Sequence, residues 1–127
     1  MILADTSVWI DHLRTGDKAL AALLDMGMVL AHPFVIGELA LGNPHQRQVV
    51  LKALADLPHA SVATDSEVLH FIERRALSGL GIGYIDAHLL AAVKLTAGAE
   101  LWTNDKRLHE VAVQLGLAHI PPRSHGS

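Results

Sequence analysis

Near its start the chain reads Ile2-Leu3-Ala4-Asp5-Thr6-Ser7-Val8-Trp9-Ile10-Asp11, and this stretch restricts the possible folds more than any other. Three apolar residues in a row, with no polar alternation, read as a strand buried on both faces. The run is cut by Asp5, the first charged side chain of the sequence. Ser7 then offers an N-cap for a helix starting at Val8. A strand buried on both faces that runs straight into a helix belongs to a parallel sheet clad by helices. Asp5 falls at the carboxyl end of that strand, the edge at which open α/β sheets bind their ligands. An Asp at such a point also has an ordinary use, helping the turn.

The alternation continues along the chain. Asp17–Asp25 carries Leu20, Leu23 and Leu24 at helical spacing and stops at Gly27; Met28–Ala31 is a second apolar strand. Pro33 suits the first turn of a helix over Phe34–Leu41, closed by Gly42. Asn43-Pro44 reads as the N-cap and first-turn proline of an amphipathic helix with Val50, Leu51, Leu54 and Leu57 inward. Pro58 breaks it, and Ala60–Ala63 reads as a strand. Thr64-Asp65-Ser66-Glu67 is a capping box, and the helix behind it places Val68, Leu69, Ile72, Ala76 and Leu80 on one face. Gly79, Gly81 and Gly83 mark a loop. The helix from Ile85 to Ala97 is apolar nearly all round and therefore buried. A strand over Ala99–Thr103 leads to a helix with Leu108, Val111, Ala112 and Leu115 inward, and Leu117–Ile120 is a short last strand before Pro121-Pro122. This pattern predicts an α/β fold, a three-layer sandwich around a mainly parallel sheet of four or five strands. One domain is expected over residues 1–122, with 123–127 a frayed tail.

At 127 residues the chain can bury about two-thirds of its unfolded surface, enough for an unstapled core. It has no cysteine. Disulfides and Cys-based zinc sites are thereby excluded, and the composition fits a reducing cytoplasm. No signal peptide is visible, and no apolar run reaches the roughly 18 residues of a membrane span. Hydrophobic residues make up 50% and the mean hydropathy is +0.31. That excess predicts an exposed apolar patch, hence a dimer or a tight partner. The net charge of −3 gives no general pull toward a polyanion. A nucleic-acid substrate would have to be held locally, by metal ions or a few basic side chains.

Three acids stand alone. Asp5 opens the charged sequence. Glu38 is the sole carboxylate or strong base between Asp25 and Arg47, and Asp86 the sole one between Arg75 and Lys94, in the most apolar helix. Burying an unpartnered carboxylate costs several kcal/mol, and no cation lies near any of the three in sequence. One arrangement answers all three: they converge on a divalent cation. Asp105 follows a strand as Asp5 does and so joins the same edge. Hard oxygen ligands select magnesium or manganese over zinc, and such clusters serve phosphodiester hydrolysis. Singly, each acid has an ordinary reading. Asp105 could be an N-cap, Asp86 a first-turn acid and Glu38 the edge of a surface helix.

With these residues in view, the chain resembles a family. Asp5-Thr6-Ser7-Val8-Trp9-Ile10, the Val35-Ile36-Gly37-Glu38-Leu39 helix, Gly83-Tyr84-Ile85-Asp86-Ala87-His88 and Leu101-Trp102-Thr103-Asn104-Asp105 are similar to the successive motifs of PIN-domain nucleases. The nearest likeness is to VapC-type toxins of bacterial toxin–antitoxin pairs. The resemblance implies a PIN-like sandwich and an acidic quartet at Asp5, Glu38, Asp86 and Asp105, with Asp5 and Asp86 as metal ligands. It implies a role for the hydroxyl of Thr6 or Ser7. It further implies a magnesium- or manganese-dependent endoribonuclease that is usually a homodimer and is inhibited by an antitoxin across its active site. Lys106 and Arg107 follow Asp105 and are placed to hold an RNA phosphate, or simply form an exposed helix start. His88 lies on a different helix face from Asp86 and reads as packing or a dimer contact rather than a ligand. Trp9, Trp102 and Tyr84 read as core or groove packing rather than base-stacking platforms.

Rivals fail on residues. A haloacid-dehalogenase-type site needs an Asp where Ser7 stands, and a receiver domain needs an acidic pair that Ile2–Ala4 lacks. A non-catalytic binding module leaves Glu38 and Asp86 without a purpose. A housekeeping PIN nuclease remains the alternative to a toxin.

Overall fold

A computed structural model describes residues 1–122; the tail expected over 123–127 lies outside the described residues. The elements in order are β1 (Ile2–Ala4), α1 (Thr6–Thr15), α2 (Lys18–Asp25), β2 (Val29–Leu30), α3 (Pro33–Leu41), α4 (Arg47–Ala55), α5 (Asp65–Arg74), α6 (Tyr84–Leu95), β3 (Glu100–Trp102) and α7 (Lys106–Gln114). β1 is central, in the order β2-β1-β3, and both pairings are parallel. Leu3 faces Leu30 on one side and Leu101 on the other, and Leu3 and Leu101 are fully buried. The apolar run is therefore a strand covered on both faces.

The sheet is narrower than the four or five strands expected. Ala60–Ala63 and Leu117–Ile120 form no strands; the chain touches each edge through one parallel bridge, Ala31 with His59 and Leu101 with Ala118. The reason lies in the backbone donors. At one edge Ala31 N donates to Pro58 O and Ala60 N to Ala31 O, but Ser61 N turns away to Thr96 Oγ1 at 2.9 Å. At the other edge His119 N donates to Leu101 O at 2.8 Å, and Pro121, two residues on, has no N–H to continue.

From β1 the chain moves to β2 and then to the His59 bridge, all in one direction. It then crosses back over β1 to β3 and the Ala118 bridge. Right-handed crossovers put α1–α4 on one face and α5–α7 on the other. The packing of α1 on α3, α3 on α4 and α5 on α6 follows that division. The direction of travel reverses between β1 and β3, and the crevice beyond their carboxyl ends is the switch point at which such sheets bind ligands.

Local starts and stops differ from expectation in three places. Asp5, not Ser7, caps α1, its carboxylate accepting from Val8 N at 3.2 Å. Asn43-Pro44 starts no helix. α4 begins after Gln46, which is left-handed at φ 54°, and the Arg47 guanidinium donates to Ala40 O at 3.0 and 2.7 Å, bracing α4 against the end of α3. α5 has the full Thr64–Glu67 capping box but ends at Arg74. Ala76, at φ 54°, and Leu80 lie beyond the helix, and within it Leu69 faces solvent rather than the core. Trp9 and Trp102 are buried in the core, while Tyr84 is half exposed. No helix among the described residues is long and apolar enough to cross a membrane.

Candidate active site

Asp5 is 6% exposed at the exit of β1. Its Oδ1 accepts from Val8 N and from Ser7 Oγ, and its Oδ2 accepts from Thr103 Oγ1, which stands just past β3. Burial pushes its pKa up, and the bonds from Ser7, Thr103 and Val8 oppose that rise without cancelling it. The same hydroxyls knit the two strand ends together. Ser7 Oγ accepts from Asn104 N at 2.9 Å, Thr103 Oγ1 accepts from Asp105 N at 3.0 Å, and Asn104 Nδ2 donates to Asp11 Oδ2 at 2.7 Å.

Glu38 arrives from α3, where Thr6 Oγ1 donates to its Oε1 at 2.7 Å. Thr6 and Ser7 thus have separate tasks, one at Glu38 and one at Asp5. Asp86 stands in the first turn of α6, half-buried, and its Oδ2 accepts from Gly83 N at 3.1 Å. Asp105 caps α7 by accepting from Leu108 N at 2.9 Å. The ordinary, capping reading thus holds at Asp5, Asp86 and Asp105. Glu38 and Asp105 are exposed, so the cost of burial that marked Glu38 in the sequence applies to Asp5 and Asp86 alone.

Asp86 feels the charges of the other three acids. The pKa of Asp86 is raised, first by burial and then by the negative charges of Asp105, Asp5 and Glu38, against the lowering bond from Gly83. None of the four forms an ion pair with a described cation. Among the described residues no three acidic or imidazole groups stand close enough to ligate one ion together. The oxygens left without a hydrogen bond from described residues are Asp86 Oδ1, Glu38 Oε2 and Asp105 Oδ2. An all-oxygen set with uncompensated negative charge fits magnesium, which keeps several waters and takes only one or two carboxylates directly.

Lys106 and Arg107 are exposed in the first turn of α7, beside Asp105. Arg107 lies across the loop before α6: a Cβ on Gly81, where φ is +81°, would sit 2.3 Å from Arg107 Nη1. His88 is buried, donates no ligand to the cluster and bonds Asp65 instead. Thr103 and Asn104 were not singled out as site residues in the sequence; a hydroxyl or amide at a strand end carries no cost of isolation to mark it. Beside Glu38 runs a groove of about 610 Å³ lined by Ile10, Leu13, Arg14, Leu39 and Pro44.

A parallel sheet clad by helices, with acids just past its carboxyl edge, defines an α/β protein whose candidate site lies at the switch point. The chain belongs to the PIN domain family, which it matches over residues 2–114. It is similar to Ribonuclease VapC32 of Mycobacterium tuberculosis, in both the CDC 1551 / Oshkosh and the ATCC 25618 / H37Rv strains. The identity is 52% over 118 residues, covering 93% of this chain and 95% of each relative.

Proposed function

We infer that this chain is an endoribonuclease of the VapC toxin class, hydrolysing RNA phosphodiesters in the cytoplasm with magnesium or manganese at Asp5, Glu38, Asp86 and Asp105. The observation that carries the site assignment is one of placement: Asp5 and Asp105 follow the parallel strands β1 and β3 at the same sheet edge, and Thr6, next to Asp5, holds Glu38 there. Asp5 and Asp86 would hold a divalent cation, which would offset the charge of the acids, activate water and steady the leaving oxygen. Ser7 and Thr103 fix the Asp5 carboxylate in one orientation, and Thr6 does the same for Glu38. One of the exposed acids, Glu38 through Oε2 or Asp105 through Oδ2, would accept the proton of the attacking water. Lys106 and Arg107 hold a phosphate of the RNA.

Asp86→Asn tests this reading, because its amide oxygen can still accept from Gly83 N while the charge is gone. It should abolish RNA cleavage in magnesium and leave the chain folded, melting no lower than the metal-free wild type. A variant that melts normally and still cuts RNA removes Asp86 from the site.

A cognate antitoxin fits the groove beside Glu38. Ile10 and Leu13 offer apolar contact, and a basic side chain from the partner would meet the acids where the cation's charge is needed. In calorimetry with a synthetic antitoxin tail, magnesium should weaken binding to the wild type, and Asp86→Asn should weaken it too. Equal affinity under all these conditions would place the inhibitor elsewhere.

A further inference from the structure

Asp65 opens α5. One of its oxygens, Oδ1, accepts both the Tyr84 hydroxyl at 3.0 Å and His88 Nε2 at 3.2 Å. Tyr84 and His88 are four residues apart, so they share one face of the first turns of α6. Asp86 lies between them in sequence and on the opposite face. The His88 ring is 2% exposed and its Nδ1 has no partner. The bond to Asp65, whose own side chain is exposed, is therefore the ring's one hydrogen bond among the described residues, and without it a mobile water would have to take over Nε2, leaving the ring's orientation unfixed. The ring is also held edge-on by Tyr84 (centroids 4.7 Å apart) and by Phe34 (4.6 Å) from α3, the helix that carries Glu38.

We propose that Asp65 is a positioning residue: through Tyr84 and His88 it sets the rotation of α6 about its own axis, and with it the place of Asp86 in the acidic cluster. The leverage is large. A side-chain tip lies about 5–6 Å from a helix axis, so a rotation of about 10° moves it by about 1 Å. A displacement of about 1 Å can cost about a hundredfold in rate. The proposal rests on the reading of Asp86 as part of the catalytic cluster.

The test uses the full chain as Asp65→Ala, Asp65→Asn and Tyr84→Phe, with Leu23→Ala in α2 as a control for general loss of stability. Two quantities are read without RNA: amide hydrogen exchange over residues 87–91 in metal-free protein, and affinity for manganese by electron paramagnetic resonance. Asp65→Ala should speed exchange in that segment and weaken manganese binding by about tenfold, as loss of outer partners does at metal sites. Asp65→Asn keeps an accepting oxygen and should stay near the wild type, with Tyr84→Phe in between. Wild-type values in Asp65→Ala overturn the proposal, as does an equal loss in Leu23→Ala or in Asp65→Asn. A wild type that binds no manganese and cuts no RNA would instead sink the active-site reading, while the exchange data still decide whether Asp65 holds the helix.

Discussion

At the scale of residues, two buried titratable groups pull stability in opposite directions with pH. The raised pKa of Asp86 means that the folded chain holds its proton at pH values where the unfolded chain has lost it. Stability therefore falls as pH rises from the ordinary carboxylate range through the raised value, and the loss is complete above it. Metal-free Asp86→Asn should thus melt above the wild type near neutral pH, with the gap closing toward acid pH. Magnesium should raise the wild-type melt more than the variant's. His32 behaves in the reverse sense. Burial, followed by the charges of His88 and His59, pulls it down to about 4 from 6.5. Its Nδ1 accepts from Phe34 N at 3.0 Å, so the proton sits on a buried Nε2 without a partner. Stability is lost as pH falls from 6.5 toward 4, by on the order of 3 kcal/mol in total. His32→Asn retains a capping oxygen and should flatten that acid limb in melts across the same range; an unchanged limb would clear His32 of the effect. Asp5 and Asp86 were legible in the sequence because a lone carboxylate in apolar surroundings is costly. Glu38 stood out by the same isolation yet proves exposed, and Asp105 drew notice only by its strand-end position. Thr103 was silent, because its importance lies in a contact with a residue 98 positions away.

At the scale of elements, what was legible followed the strength of the local signal. The Thr64–Glu67 capping box and the apolar α6 lie where the sequence puts them. The start of α4 did not, because it depends on Arg47 reaching the Ala40 carbonyl, a tertiary contact with no local signature. Strand lengths were overestimated for a related reason: apolar runs at the sheet edges have the composition of strands, but proline and side-chain acceptors end the pairing. The loop before α6 yields a prediction. Gly79 and Gly81 both have positive φ, at 78° and 81°, but only a Cβ at Gly81 meets Arg107. Gly79→Ala should cost about 1 kcal/mol from backbone strain alone. Gly81→Ala carries a similar strain and also displaces the Arg107 guanidinium. It should therefore weaken RNA binding as well, read as a smaller dependence of affinity on salt. Identical salt slopes for the two variants would show that Arg107 contacts no phosphate.

At the scale of the whole molecule, the apolar surplus noted in the sequence is spread over the surface: Leu41, Val49, Met26 and Ile120 are exposed, and so are Val62, Leu69, Leu80, Ile85 and Leu95 on or beside α5 and α6. If the homodimer that the family resemblance implies forms through a patch at α5 and α6, Leu69→Glu should shift sedimentation toward the monomer with little effect on the melt of the protomer. A monomeric wild type at micromolar concentration would leave the patch to another partner. The acids, for their part, come from β1, α3, α6 and α7, and Asp5 takes its orientation from Thr103 beyond β3. No half of the chain contains the site. A nascent chain still awaiting β3 and α7 carries Asp5, Glu38 and Asp86 but lacks Asp105 and the Thr103 that orients Asp5. On the proposed reading it cannot cut RNA while that last acid is still unmade, and the interval between its emergence and folding is the window in which a co-expressed inhibitor can capture the enzyme.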